Sequence, residues 1–118
     1  MAMFTRTEIE AGLKRLGELA QAKGLHIQLT LVGGAVMVLR FDARPSTRDV
    51  DAVILQPREA RLVRDLAKQV AEEFEWTEDW LNDGAKGYLV GISKGPIVFQ
   101  APGIEARAPS IEQLLAMK

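Results

Sequence analysis

Residues 49–55 read DVDAVIL, and this segment limits what the rest of the chain can become. Its β-branched run lacks the in–out alternation of a strand with one wet face, so it suits a strand buried on both sides, which other elements must cover. A helix fit for that follows at once. Pro57 is expected to open it, and the residues Val63, Leu66, Ala67, Val70 and Phe74 form one apolar stripe, with Arg58, Arg61, Asp65, Lys68 and Glu72 on the other side. Upstream, residues 28–32 (QLTLV) read as a second strand, bounded by Gly33 and Gly34, and the apolar run 35–40 starts a helix. A first helix is expected over residues 5–23, where Ile9, Leu13, Leu16 and Ala20 recur at helical spacing, Thr7 and Glu10 have the form of a capping box, and Gly24 ends the run.

After the third helix, residues 76–84 read as a turn-rich connection with one helical turn, followed by strand candidates at 87–92, 96–100 and 104–107. Gly95 and Pro96 mark the first reversal, and Ser110 caps a last helix whose apolar face is Ile111, Leu114 and Leu115. The expected fold is α/β of the α+β kind: a mixed β-sheet packed against helices, in a single domain over residues 1–118. At 118 residues and 47% hydrophobic content, the chain has apolar material for one core and is too short for two.

Composition then narrows the chemistry. The chain contains no cysteine, which removes disulfides, thiolate nucleophiles and cysteine-ligated zinc, and its one histidine, His26, cannot by itself make a transition-metal site, so any metal is expected to be a hard, oxygen-ligated one. Fifteen basic against sixteen acidic residues leave no global positive field of the kind that drives nonspecific nucleic-acid binding. Residues 1–10 carry charge where a signal peptide needs an apolar run, and no stretch approaches the ~20 apolar residues of a membrane span, so the cytoplasm is the expected compartment and no membrane partner is expected.

Asp49 and Asp51 lie two apart on a strand, so their carboxylates share a face with Cα atoms about 6.5 Å apart. Two such carboxylates, together with substrate phosphates, are a usual Mg2+ ligand set. The structural alternative is that Asp49 caps the loop and Asp51 pairs with Arg44 or Arg48. Gly33-Gly34 stands between a strand and a helix start, where glycine lets the backbone approach a phosphate; a turn that needs positive φ is the alternative there. With one loop between them, the two motifs can converge on a nucleoside triphosphate and its metal.

With those residues in place, LVGGAVMVLR followed by STRDVDAVI resembles the glycine motif and Asp-x-Asp strand of minimal nucleotidyltransferases, a superfamily that includes toxin components of toxin–antitoxin pairs. DWLNDGAKGYL and PSIEQLLAMK are similar to an uncharacterised bacterial branch of it. The resemblance implies transfer of a nucleotide from a triphosphate to a hydroxyl with Mg2+, with Asp49 and Asp51 as catalytic metal ligands and Gly33 and Gly34 as the phosphate turn. It also implies a third carboxylate on a later strand, for which Glu105 is the candidate; Glu105 shares a face with Arg107, so an ion pair is the other reading. In that branch LLAMK is followed by further basic helix, so the resemblance implies that this chain is a reduced member or a fragment.

Between the motifs, Arg40, Arg44 and Arg48 offer guanidinium forks suited to phosphate, and the hydroxyls of Ser46 and Thr47 suit either phosphate or a turn. Thr47 and Arg48 join Gly33 and Gly34 as substrate-binding candidates. Trp76 and Trp80 fit a base-stacking clamp or a loop anchored in the core, Lys86 lies between glycines where a phosphate could be met, and His26 beside Gly24 reads as a solvent-facing residue. Three functions stay open. One is a Mg2+-dependent nucleotidyltransferase acting on an RNA, protein or small-molecule hydroxyl. The second is a catalytically inactive module whose apolar edge at Leu114 and Leu115 serves self-association or a cognate protein partner. The third is a nucleotide sensor without turnover.

Overall fold

The structure, a computed structural model, describes residues 4–39, 46–82 and 95–109. Its elements run β1 (Phe4–Thr5), α1 (Arg6–Ala22), β2 (Ile27–Val32), α2 (Gly34–Leu39), β3 (Ser46–Thr47), β4 (Val50–Gln56), α3 (Ala60–Phe74), β5 (Leu81–Asn82), β6 (Ile97–Ala101) and β7 (Ile104–Arg107). Five strands form one mixed sheet in the order β5-β4-β2-β7-β6, while β1 and β3 make a separate two-stranded pair. The α/β class expected from the sequence is the class observed. The strand candidate at 87–92, the last helix from Ile111 with Leu114 and Leu115, and Arg40, Arg44 and Lys86 all lie outside the described residues.

In the sheet, β4 runs antiparallel to β2 and parallel to β5, and β7 runs parallel to β2 and antiparallel to β6. A parallel neighbour needs a crossover long enough to return the chain, and α3 is that crossover between β4 and β5. Period-2 geometry then sorts the side chains. Ile27, Leu29, Leu31, Val50, Ala52, Ile104 and Ala106 fall on one face and are all fully buried, in one core with Ile9, Leu13, Leu16 and Ala20 of α1 and Val63, Leu66, Ala67 and Val70 of α3. The other face carries Thr30, Asp51, Glu105 and Arg107, with Val32, Val53 and the partly buried Leu55 as a small second cluster. The expected two-sided burial of β4 holds at Ala52 (0% exposed) and Val53 (7%), and fades toward Gln56 where a register shift interrupts the pairing with β2.

Three local features differ from expectation. The capping box of α1 is Thr5 with Glu8, not Thr7 with Glu10: the Thr5 hydroxyl accepts from the Glu8 N–H, and the Glu8 carboxylate accepts from the Thr5 N–H at 3.1 Å. Both pairs fit the same four-residue pattern. The earlier one wins because it puts Phe4 just outside the cap and Ile9 in the first turn, both buried in the core, the arrangement of a hydrophobic staple. Second, α3 starts at Ala60 rather than at Pro57, since β4 continues through Gln56 to pair with Gln28. Third, the connection after α3 contains a short strand, β5, which pairs Leu81 with Val50 and Asn82 with Asp51.

Candidate functional site

The end of β2, the start of β4 and the short β5 meet at one end of the sheet, where Val32 is paired with Asp51 and Asp51 with Asn82. Gly33 leaves β2 with φ +64, a left-handed conformation that costs a residue with a Cβ, and its carbonyl accepts the first bonds of α2 from Val36 (3.2 Å) and Met37 (3.4 Å). A Cβ built on Gly33 would lie 3.2 Å from Oδ2 of Asp51. The glycine therefore answers two needs at once, the backbone turn and the close approach of a carboxylate. Gly34 follows as the first residue of α2.

Asp51 is half-buried at the beginning of β4, and Asp49 stands exposed in the bend just before that strand. Partial burial pushes the Asp51 carboxyl above its ordinary value, the negative charge of Asp49 adds to that push, and a hydrogen bond from the Asn82 side chain works against it. Asp51 thus lies close enough to Asp49 for the neighbouring charge to act on it, after burial, as the second cause of the shift. Thr47, expected as a substrate contact, is buried, and its hydroxyl donates to the Asp49 carbonyl at 3.2 Å, so its side chain shapes the turn that presents Asp49. Arg48 is exposed in that same bend, between Thr47 and Asp49.

Glu105 lies elsewhere. It faces Gln28 across β7 and β2, whereas Asp51 faces Val32, four positions further along β2 and so roughly 13 Å up the sheet. Its carboxylate accepts from Nε of Arg107 at 2.9 Å, and Arg107 also donates to the Gly95 carbonyl at 2.9 Å. The structure brings Gly33 and Asp51 together with Asp49 near enough for its charge to act on Asp51, gives Gly34 and Arg48 only their places next to these in the chain, and leaves Glu105 in an ion pair further along the sheet.

The tryptophans are structural. Trp80 is 1% exposed and its Nε1 donates to the Ala67 carbonyl at 2.9 Å, while Trp76 meets Phe4, Phe74 and Trp80 edge-on with ring centroids 4.8, 4.8 and 5.2 Å apart. His26 is exposed just before β2. Asn82 is the site residue that the sequence reading passed over. Its signal, an asparagine after a buried Trp-Leu pair, becomes informative only once β5 is known to pair with β4.

A mixed α/β domain with a carboxylate pair at the sheet end, set against a glycine turn, is the class that fold and site define. No helix among the described residues is long and apolar enough to cross a membrane. Compared with protein-family models, with curated proteins and with solved structures, the chain finds no match.

Proposed function

We propose that the protein is a Mg2+-dependent nucleotidyltransferase, moving a nucleotide from a nucleoside triphosphate to a hydroxyl acceptor. The observation that carries this reading is the convergence of Gly33, in a left-handed turn, on the Asp51 carboxylate, with Asp49 two residues away. A turn without a side chain leaves room for a phosphate beside two carboxylates, and glycine is the residue that permits that approach.

The donor set suits the metal. Asp49 and Asp51 are hard oxygen donors, and magnesium is commonly held by one or two protein carboxylates with substrate phosphates completing its shell. When bound there, the ion would supply charge stabilisation to the reacting phosphate. The chain's own residues do the rest: the Gly33-Gly34 backbone gives the triphosphate a close seat, the Thr47–Asp49 hydrogen bond holds the bend that presents the exposed carboxylate, and Arg48 in that bend offers a guanidinium to phosphate oxygens. Glu105, engaged by Arg107, is given no role.

That engagement also favours a second reading, a nucleotide sensor that binds without turnover, because it removes the candidate third carboxylate from the site. The test is calorimetric titration of each nucleoside triphosphate with Mg2+ into the wild type and into a folded Asp49→Asn, Asp51→Asn double variant. Saturable binding that needs the metal and disappears in the variant supports a site at the aspartates, and pyrophosphate release then separates transferase from sensor. A folded wild type that binds no triphosphate refutes both.

A further inference from the structure

Asn82 belongs to neither sequence motif, yet the parallel pairing of β5 with β4 sets it directly beside Asp51. We infer that Asn82 is a positioning residue for the Asp51 carboxylate, its amide donating a hydrogen bond that holds the carboxylate between β5 and the Gly33 turn. Three observations place it so. The register pairs the two residues. Their side chains are hydrogen-bonded. Oδ2 of Asp51 also comes within 3.2 Å of where a Cβ on Gly33 would stand, so the carboxylate meets a donor on β5 and the bare backbone of the turn that follows β2.

The chemistry explains why an amide serves here. An aspartate side chain at the end of a strand loses rotamer freedom when it takes up a cation, and a donor fixed by strand pairing removes that freedom beforehand. An asparagine provides the donor without bringing a further negative charge to two carboxylates that already repel. An aspartate at 82 has the same shape but, when ionised, only accepts hydrogen bonds. This inference rests on the metal-binding part of the nucleotidyltransferase reading for its consequence, and on the Asn82–Asp51 contact alone for its geometry.

The experiment has two arms. In metal-free 15N-labelled protein, replacing Asp51 by Ala is expected to move the side-chain amide resonances of Asn82; unmoved resonances overturn the contact. In the second arm, Mn2+ alone is titrated calorimetrically into wild type, Asn82→Ala and Asn82→Asp, with folding checked by thermal melting. Asn82 is exposed, so both variants are expected to fold, and the isosteric Asp variant carries the comparison if the Ala variant does not. A positioning role predicts that each variant binds Mn2+ about tenfold more weakly. Equal binding by wild type and Asn82→Ala overturns this inference and leaves the aspartate site standing. Tighter binding by Asn82→Asp overturns it by making position 82 a ligand position. A wild type that binds no Mn2+ removes the metal reading and this inference together.

Discussion

Replacing Gly33 by Ala tests the geometry on which the site depends. Two costs follow from the structure. At φ +64 an alanine pays the left-handed backbone penalty, about 1–2 kcal/mol. Its Cβ also arrives 3.2 Å from Oδ2 of Asp51, so the carboxylate must give way by a few tenths of an ångström. A coupling of about 0.5–1 kcal/mol between the two positions is in the range seen for residues in contact. Equilibrium urea denaturation of wild type, Gly33→Ala, Asp51→Ala and the double variant closes the cycle. Gly33→Ala is expected to lose about 1.5–3 kcal/mol in total, and to lose only the backbone part when Asp51 is already Ala. Gly33→Asn should lose less than Ala, because asparagine enters the left-handed region more readily, though its Cβ makes the same approach to Asp51. A Gly33→Ala variant within about 0.3 kcal/mol of wild type, or a cycle with no coupling, would refute the account of this turn.

Two further outcomes follow. In α1, a Cβ on Gly17 would stand 2.6 Å from both the Pro102 carbonyl oxygen and Cγ2 of Ile104, so Gly17→Ala is expected to destabilise by about 1–3 kcal/mol in chemical denaturation despite alanine's better helix propensity; a stabilised variant refutes the close approach of α1 to the β6–β7 turn. Because burial and Asp49 raise the Asp51 carboxyl in the folded protein, the fold binds that proton more tightly than the unfolded chain does, and the ionised form opposes folding above the ordinary value of 3.8. In chelator-treated buffer, Asp51→Asn therefore melts higher than wild type near neutral pH, with a difference that shrinks as pH falls through the carboxylate range and is gone below 3.8; a variant that melts lower at neutral pH contradicts the assignment.

The parts of this protein that the sequence discloses are those where one element alone carries enough pattern. The stripe of α3, the apolar runs of β2 and β4, and the glycines at the end of β2 are of that kind, because each needs only local periodicity or a backbone requirement to be seen. Strands β1, β3 and β5 have two residues each, too few to show any period, and exist through the partners they pair with. Asn82 was hidden for that reason. The overlapping pairs Thr5–Glu8 and Thr7–Glu10 show a different limit: both satisfy the capping pattern, and the choice is made by where Phe4 can be buried. Glu105 shows a third. Its alternation with Arg107 made their shared face, and hence their ion pair, readable in advance, but its distance from Asp51 depends on which strands lie side by side and in what register.

The pairing of Phe4–Thr5 with Ser46–Thr47 ties two parts of the chain that are far apart in sequence. Thr5 closes the first turn of α1, and Thr47 holds the bend that presents Asp49. Fraying at the start of the helix and loosening of the segment leading to the aspartates are then expected to be a single local opening, which hydrogen exchange would show as matched rates at the amides of Glu8 and of the β3 segment.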